Sequence, residues 1–197
     1  MADLYKNKYR IPTARATWHD YNGGSYFVTM CTKNRECYFG HISNGEMGYS
    51  DLGQSAIYCL EQIPAHFPHV EIPVFIVMPN HIHAIIIINA LDPNMVETQN
   101  FASLHNETKQ KFGPQSKNLA SVVRGFKIGV TKYANDQDFS FAWQPRFHDH
   151  IIRNHNEMDQ IADYIENNII LWKEDCYNGL RSQPISNNPE KPYLKFF

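Results

Sequence analysis

His81 and His83 stand one residue apart at the head of the run His81-Ile82-His83-Ala84-Ile85-Ile86-Ile87-Ile88. On a β-strand alternate side chains share a face, so the two imidazoles project together while Ile82 anchors the opposite face. Neutral imidazole nitrogens are good ligands for divalent cations, and a pair of them is half of a metal site. The isoleucines that follow occupy both faces, which marks a central, covered strand. Polar rings at the mouth of such a strand need partners. Two hydrogen-bonded structural histidines would meet the same spacing, and two ligands do not close a coordination sphere.

Other residues could do related chemistry. His148-Asp149-His150 repeats the spacing with a carboxylate between, and residue types alone do not rank it below His81 and His83. Tyr133 and Tyr164 both fall in helical segments, where a tyrosine is either a packing residue with a wet hydroxyl or a nucleophile. Context excludes two families rich in paired histidines. A metallo-β-lactamase would continue with an aspartate and a third histidine, and a cupin with a carboxylate, whereas Ala84 and isoleucines follow here.

The elements that must position these groups are legible as periodicities. Tyr26 to Thr32 is β-branched and aromatic and follows Gly23-Gly24, as a first strand would. Cys37 to Ile42 is expected to pair back on it. Asp51 to His66 has helical spacing, with Ser50 or Asp51 placed to cap it. Ile72 to Met78 is a continuous apolar run, and Pro79-Asn80 bends the chain into the His81 strand. Leu119, Val123, Phe126, Val130 and Tyr133 form one helical stripe with Arg124, Lys127 and Lys132 off it. Phe139 to Trp143 and Phe147 to Arg153 read as two extended segments. A last helix opens near Asn154 or Asn156, and Asn154 with Glu157 resembles a capping pair. Its buried stripe is Met158, Ile161, Ala162, Ile165, Ile169 and Trp172, and Tyr164 and Asn168, four apart, share its flank.

The 197 residues, 43% of them hydrophobic, suffice for one core, so a single catalytic domain over 1–180 with an irregular tail over 181–197 is expected. No apolar run is long enough to span a bilayer and the charged N-terminus lacks a signal core, which points to a cytoplasmic protein with no membrane partner. Cys31, Cys37, Cys59 and Cys176 form no paired motif, consistent with reduced, packed thiols. A net charge of -2 argues against sequence-blind coating of nucleic acid. Yet Lys109, Lys111, Lys117, Arg124, Lys127 and Lys132 form a basic block free of acidic residues, which is either a phosphate-facing surface or a solvated helix face. The polar stretch between Ala90 and Asn118 is long for a connection inside a domain.

Four features occur in one order: Met78-Pro79-Asn80-His81-Ile82-His83, Trp143-Gln144-Pro145-Arg146-Phe147, Asp149-His150-Ile151-Ile152-Arg153, and Asp163-Tyr164-Ile165 with Asn168. Together they resemble the HUH single-tyrosine transposases, in the branch called REP-associated tyrosine transposases, over roughly Tyr21 to Trp172. The resemblance implies an α+β fold, a ferredoxin-like sandwich in which helices pack on an antiparallel sheet and the histidine pair sits on a central strand. It implies Tyr164 as nucleophile and His81, His83 and Asn168 as ligands of a divalent metal, Mg2+ or Mn2+. Ile169 departs from the pattern, since relatives commonly carry proline after the asparagine.

The activity implied is DNA transposition by cleaving and rejoining single-stranded or hairpin DNA through a 5′-phosphotyrosine, by a monomer or a homodimer. Arg124, Lys127, Lys132, Arg146 and Arg153 would hold phosphates of that DNA. Two other classes stay open at this level: a metal-dependent phosphodiesterase using His81 and His83, and perhaps the His148, Asp149 and His150 group, with Tyr164 structural, and an inactive nucleic-acid-binding module.

Overall fold

The computed structural model describes residues 19, 21–89, 118–175, 177 and 178. The Ala90 to Lys117 connection, with Lys109, Lys111 and Lys117, and the 181–197 tail lie outside them. The first strand, β1 (Gly24–Cys31), pairs antiparallel with β6 (His81–Ile88) on one side and with β7 (His148–Ile152) on the other. Two shorter strands, β4 (Val70–Glu71) and β5 (Phe75–Val77), follow one another along the free edge of β6. The order β4-β6-β1-β7, with β5 also on β6, puts the histidine strand inside the sheet. Strand-helix-strand-strand-helix-strand in this antiparallel order is the ferredoxin-like arrangement.

Alternation sorts the two faces. Tyr26, Val28 and Met30 of β1 and Ile82, Ala84, Ile86 and Ile88 of β6 join one core with α1 (Asp51–Glu61) and α3 (Leu119–Asp136). Phe27 and Ile85 face the other way and join Ile161, Tyr164 and Ile165 of α4 (His155–Glu166). His81 and His83 have the same parity as Ile85, so the imidazoles lie on the α4 face. Nearly all of β6 is buried, as an apolar run covered on both sides requires.

Several boundaries differ from the sequence-based expectation. The segment expected to pair back on β1 instead forms a separate hairpin, β2 (Gly40–Ser43) with β3 (Glu46–Tyr49). Both edges of β1 are already taken, and Asn44-Gly45, with φ of 55° and 81°, supplies the positive-φ pair of a tight two-residue hairpin turn. The expected 51–66 helix divides at Gln62 into α1 and the single turn α2 (Ile63–His66), where Pro64 lies in the first turn and has no N–H to continue α1. Only Trp143 of the Phe139 to Trp143 segment makes a strand contact, a lone bridge to Thr32. On α3 the buried stripe takes in Val122 and Ala134, and Tyr133 is half-buried. Ser50 caps α1 by accepting the Gly53 N–H at 3.0 Å. Asn154 caps α4 by accepting the Glu157 N–H at 2.9 Å, while the Glu157 carboxylate turns to the Arg153 N–H at 2.8 Å.

Among the described residues no helix is long and apolar enough to cross a membrane. Helix α1 meets the Phe39 carbonyl so closely that a Cβ on Gly53 would lie 2.1 Å from Phe39 O. Gly53→Ala is therefore expected to destabilise the protein by about 1–3 kcal/mol or more, read as a lower urea midpoint. An unchanged midpoint would show that this contact is soft.

Candidate metal and tyrosine site

Strand register places the site. Thr29 on β1 faces His83 on one side and His148 on the other, so the three share a row on the α4 face. Cys31 faces His81. The imidazole centroids of His81 and His83 lie 4.5 Å apart, edge to face, and both rings are fully buried. Phe27 supports the His83 ring at 5.1 Å, and Trp172 and Tyr177 cover the His81 ring at 6.0 and 4.6 Å.

Helix α4 brings the tyrosine. Its hydroxyl oxygen lies 3.3 Å from His83 Nε2, and its ring meets Phe27 edge-on at 6.1 Å. Past Glu166 the chain continues in tightened turns, with the Asn168 N–H donating to Ile165 O and the Trp172 N–H to Ile169 O. These turns carry the last members of the expected stripe beyond the helix. Asn168 is fully buried, and both its amide oxygen and its amide nitrogen lack a hydrogen-bond partner.

The same turns return the chain to the histidines and deliver a residue the sequence reading did not include. Asp175 Oδ2 lies 3.7 Å from His81 Nε2. Among the described residues, one group of histidine, cysteine and carboxylate side chains is placed to hold a cation, namely His81, His83 and Asp175, whose ligand atoms lie within 4.8 Å of one another. One ion with ligand distances of about 2.0–2.4 Å spans that spread. His81 Nε2 is buried with no hydrogen-bond partner, which costs about 1–3 kcal/mol if nothing meets it. Imidazole lone pairs beside a buried carboxylate fit a cation, and the orphaned Asn168 amide is a further oxygen donor nearby in sequence.

Electrostatics agree with ligand chemistry. Burial, aided by the Arg35 charge, lowers the His81 pKa to about 3. Burial, then the neighbouring His81 and His148, hold His83 well below the ordinary histidine value. Both rings are neutral at pH 7, the state in which a histidine ligates.

The rival group separates. His148 shares the row of His83 but stands two strands away, about 10 Å, and His150 is engaged with Glu157 through Nε2 at 2.9 Å. Tyr133 packs against the core of the opposite face. The basic residues are not gathered at the histidines. Arg124, Lys127, Lys132 and Arg146 line a cleft of about 650 Å³ on the outer side of α3, across the sheet from the imidazoles. Lys127 donates to the carbonyls of Gln144 at 3.1 Å and Arg146 at 2.6 Å and lies over the Trp143 ring at 5.0 Å. Burial brings its pKa down to about 8. Arg153 is exposed at the end of β7.

An uncharacterized protein of Haemophilus influenzae (strain KW20 Rd) is 42% identical over 156 residues, covering 77% of this chain and 83% of its own. The chain belongs to one family with that protein. No family model matches it. A solved REP-associated tyrosine transposase bound to a REP hairpin superimposes with a TM-score of 0.54 at 20% identity, over 81% of this chain and 73% of its own. The fold is that of a REP-associated tyrosine transposase. Within it, His81 and His83 occupy an inner strand and Tyr164 a helix on the face those histidines share.

Two site residues had little local signal. Asp175 lies in a polar stretch without period, and only the turn after α4 reveals it. Asn80, read from the sequence as a bend, directly precedes His81 and stands in the Met78-Pro79-Asn80 stretch on which the resemblance partly rests, but neither sign assigned it a role.

Proposed function

We propose that this protein is a metal-dependent, single-tyrosine DNA transposase that nicks and rejoins single-stranded or hairpin DNA. The observation that carries the reading is the placement of the Tyr164 hydroxyl 3.3 Å from His83 Nε2, beside a buried His-His-Asp group. The solved relative in fold is bound to a REP hairpin, which favours structured DNA as the substrate here.

His81, His83 and Asp175 would hold Mg2+ or Mn2+, with Asn168 as an amide donor. Such a cation supplies positive charge to the non-bridging oxygens of a phosphodiester and fixes its orientation. Tyr164 Oη attacks phosphorus, so a P–O bond to tyrosine forms as the bond to the 3′ oxygen breaks. The phenol gives up its proton and the departing 3′ oxygen gains one, leaving a 5′-phosphotyrosine and a free 3′ hydroxyl. Because the new ester conserves the phosphodiester, a second 3′ hydroxyl reverses the step onto another strand without ATP. The Tyr164 hydroxyl stands 3.3 Å from His83 Nε2, so the nucleophile would lie beside a nitrogen able to hold the cation.

The test is incubation with hairpin-containing single-stranded DNA and Mn2+, followed by denaturing electrophoresis. A protein-DNA adduct that EDTA prevents is expected. Cleavage with no adduct points to a phosphodiesterase, and binding without cleavage to a recognition module.

Arg124, Lys132, Arg146 and Arg153, all exposed, are proposed to contact phosphates outside the cleavage site, with Lys127 propping the Gln144-Pro145-Arg146 loop and adding its charge. Replacing Arg124 and Lys132 by alanine is expected to lower the slope of log K against log salt for single strands by about 1.4. An unchanged slope would place the strand elsewhere.

A further inference from the structure

The geometry points to Asn80 as a positioning residue that fixes the tautomer of His81 and so aims its Nε2 lone pair at the metal. This rests on the reading above that His81 is a ligand. Asn80 is 1% exposed, and its side-chain orientation is over-determined. Its Nδ2 lies 3.0 Å from Arg35 O and 2.8 Å from Tyr177 O. Carbonyl oxygens only accept, so the amide nitrogen must face them, and a flipped amide would set Oδ1 against two oxygens. With both N–H groups committed, Oδ1 is left facing His81 Nδ1 at 2.9 Å. An amide oxygen also only accepts, so Nδ1 must carry the hydrogen.

A neutral imidazole, the form that ligates a cation, has one N–H. A hydrogen on Nδ1 therefore leaves Nε2 with its lone pair directed toward Asp175. The opposite tautomer would place an N–H where the cation must sit. Thr29, the partner of His83 Nδ1 at 2.9 Å, imposes no such choice, because a hydroxyl both donates and accepts. Asn80 thus does for His81 what Thr29 leaves undetermined for His83. It also ties the bend before β6 to the turn after β1 and to the segment bearing Asp175, so the elements carrying His81 and Asp175 share one anchor.

Nitrogen-15 NMR of the metal-free protein at neutral pH reads the tautomer directly. Nδ1 of His81 is expected protonated and Nε2 unprotonated, and a protonated Nε2 overturns the inference. Asn80→Ala, where it folds, is expected to weaken Mn2+ binding by about 10- to 100-fold, the usual effect of losing a ligand's hydrogen-bond partner. Wild-type Mn2+ affinity in the folded variant also overturns it. Neither readout involves DNA, so failure here is distinct from failure to form the tyrosine adduct.

Discussion

Tyr164→Phe is expected to abolish the protein-DNA adduct and to cut strand cleavage by a factor on the order of 10⁶, the scale reached when a covalent nucleophile is deleted. The substitution removes one oxygen and little else. The Tyr164 ring is 7% exposed and keeps its edge-on contact with Phe27 and its contact with the His83 ring at 5.3 Å. The 3.3 Å contact to His83 Nε2 is lost, but it is longer than an ordinary hydrogen bond and should contribute no more than about 1 kcal/mol. Mn2+ affinity should hold or rise slightly, since the phenol no longer faces a ligand nitrogen. That combination separates a nucleophile from a structural tyrosine. Persistent cleavage without an adduct in this variant would move the chemistry to a water molecule at the His-His-Asp group and make the protein a phosphodiesterase.

The parts of the fold that the sequence shows are those set by local pattern. The continuous apolar run after His83 predicts a covered inner strand, and β6 is one; the Leu119 stripe predicts α3, and the Ile161 and Ile165 stripe predicts α4. The parts it hides depend on pairing over distance. Cys37 to Ile42 has strand composition but no free edge of β1 to join, and the Asn44-Gly45 turn beside it was the stronger local signal. Asn168 and Asp175 show the same limit within the site. Asn168 enters from a resemblance, and its orphaned buried amide is consistent with a donor role. Asp175 has no motif and enters only because tightened turns fold it back to 3.7 Å from His81. The two need not compete, because hard divalent cations take six or more ligands and favour oxygen, anionic oxygen above all.

Acid is expected to weaken the metal-free protein well before the carboxylates titrate. In the unfolded chain an imidazole binds a proton near pH 6.5, at the reference value. In the folded protein His81 resists protonation down to about pH 3, because burial and then the Arg35 charge disfavour the cation. Between these limits the unfolded state holds more protons than the folded one, so stability falls as pH is lowered, by about 1.4 kcal/mol per unit for each such histidine. Above pH 6.5 both states are neutral and the contribution vanishes. His83 is shifted in the same direction and steepens the fall, although the two rings repel and do not titrate independently. From pH 6.5 to 5 in EDTA, His81 alone should remove about 1.6 kcal/mol, seen as a lower urea midpoint. His81→Gln should flatten that dependence, and a flat wild-type profile would contradict the buried, neutral state from which ligation starts. Saturating Mn2+ should restore the midpoint at pH 6.5 more than at pH 5, since cation and proton compete for the same nitrogens.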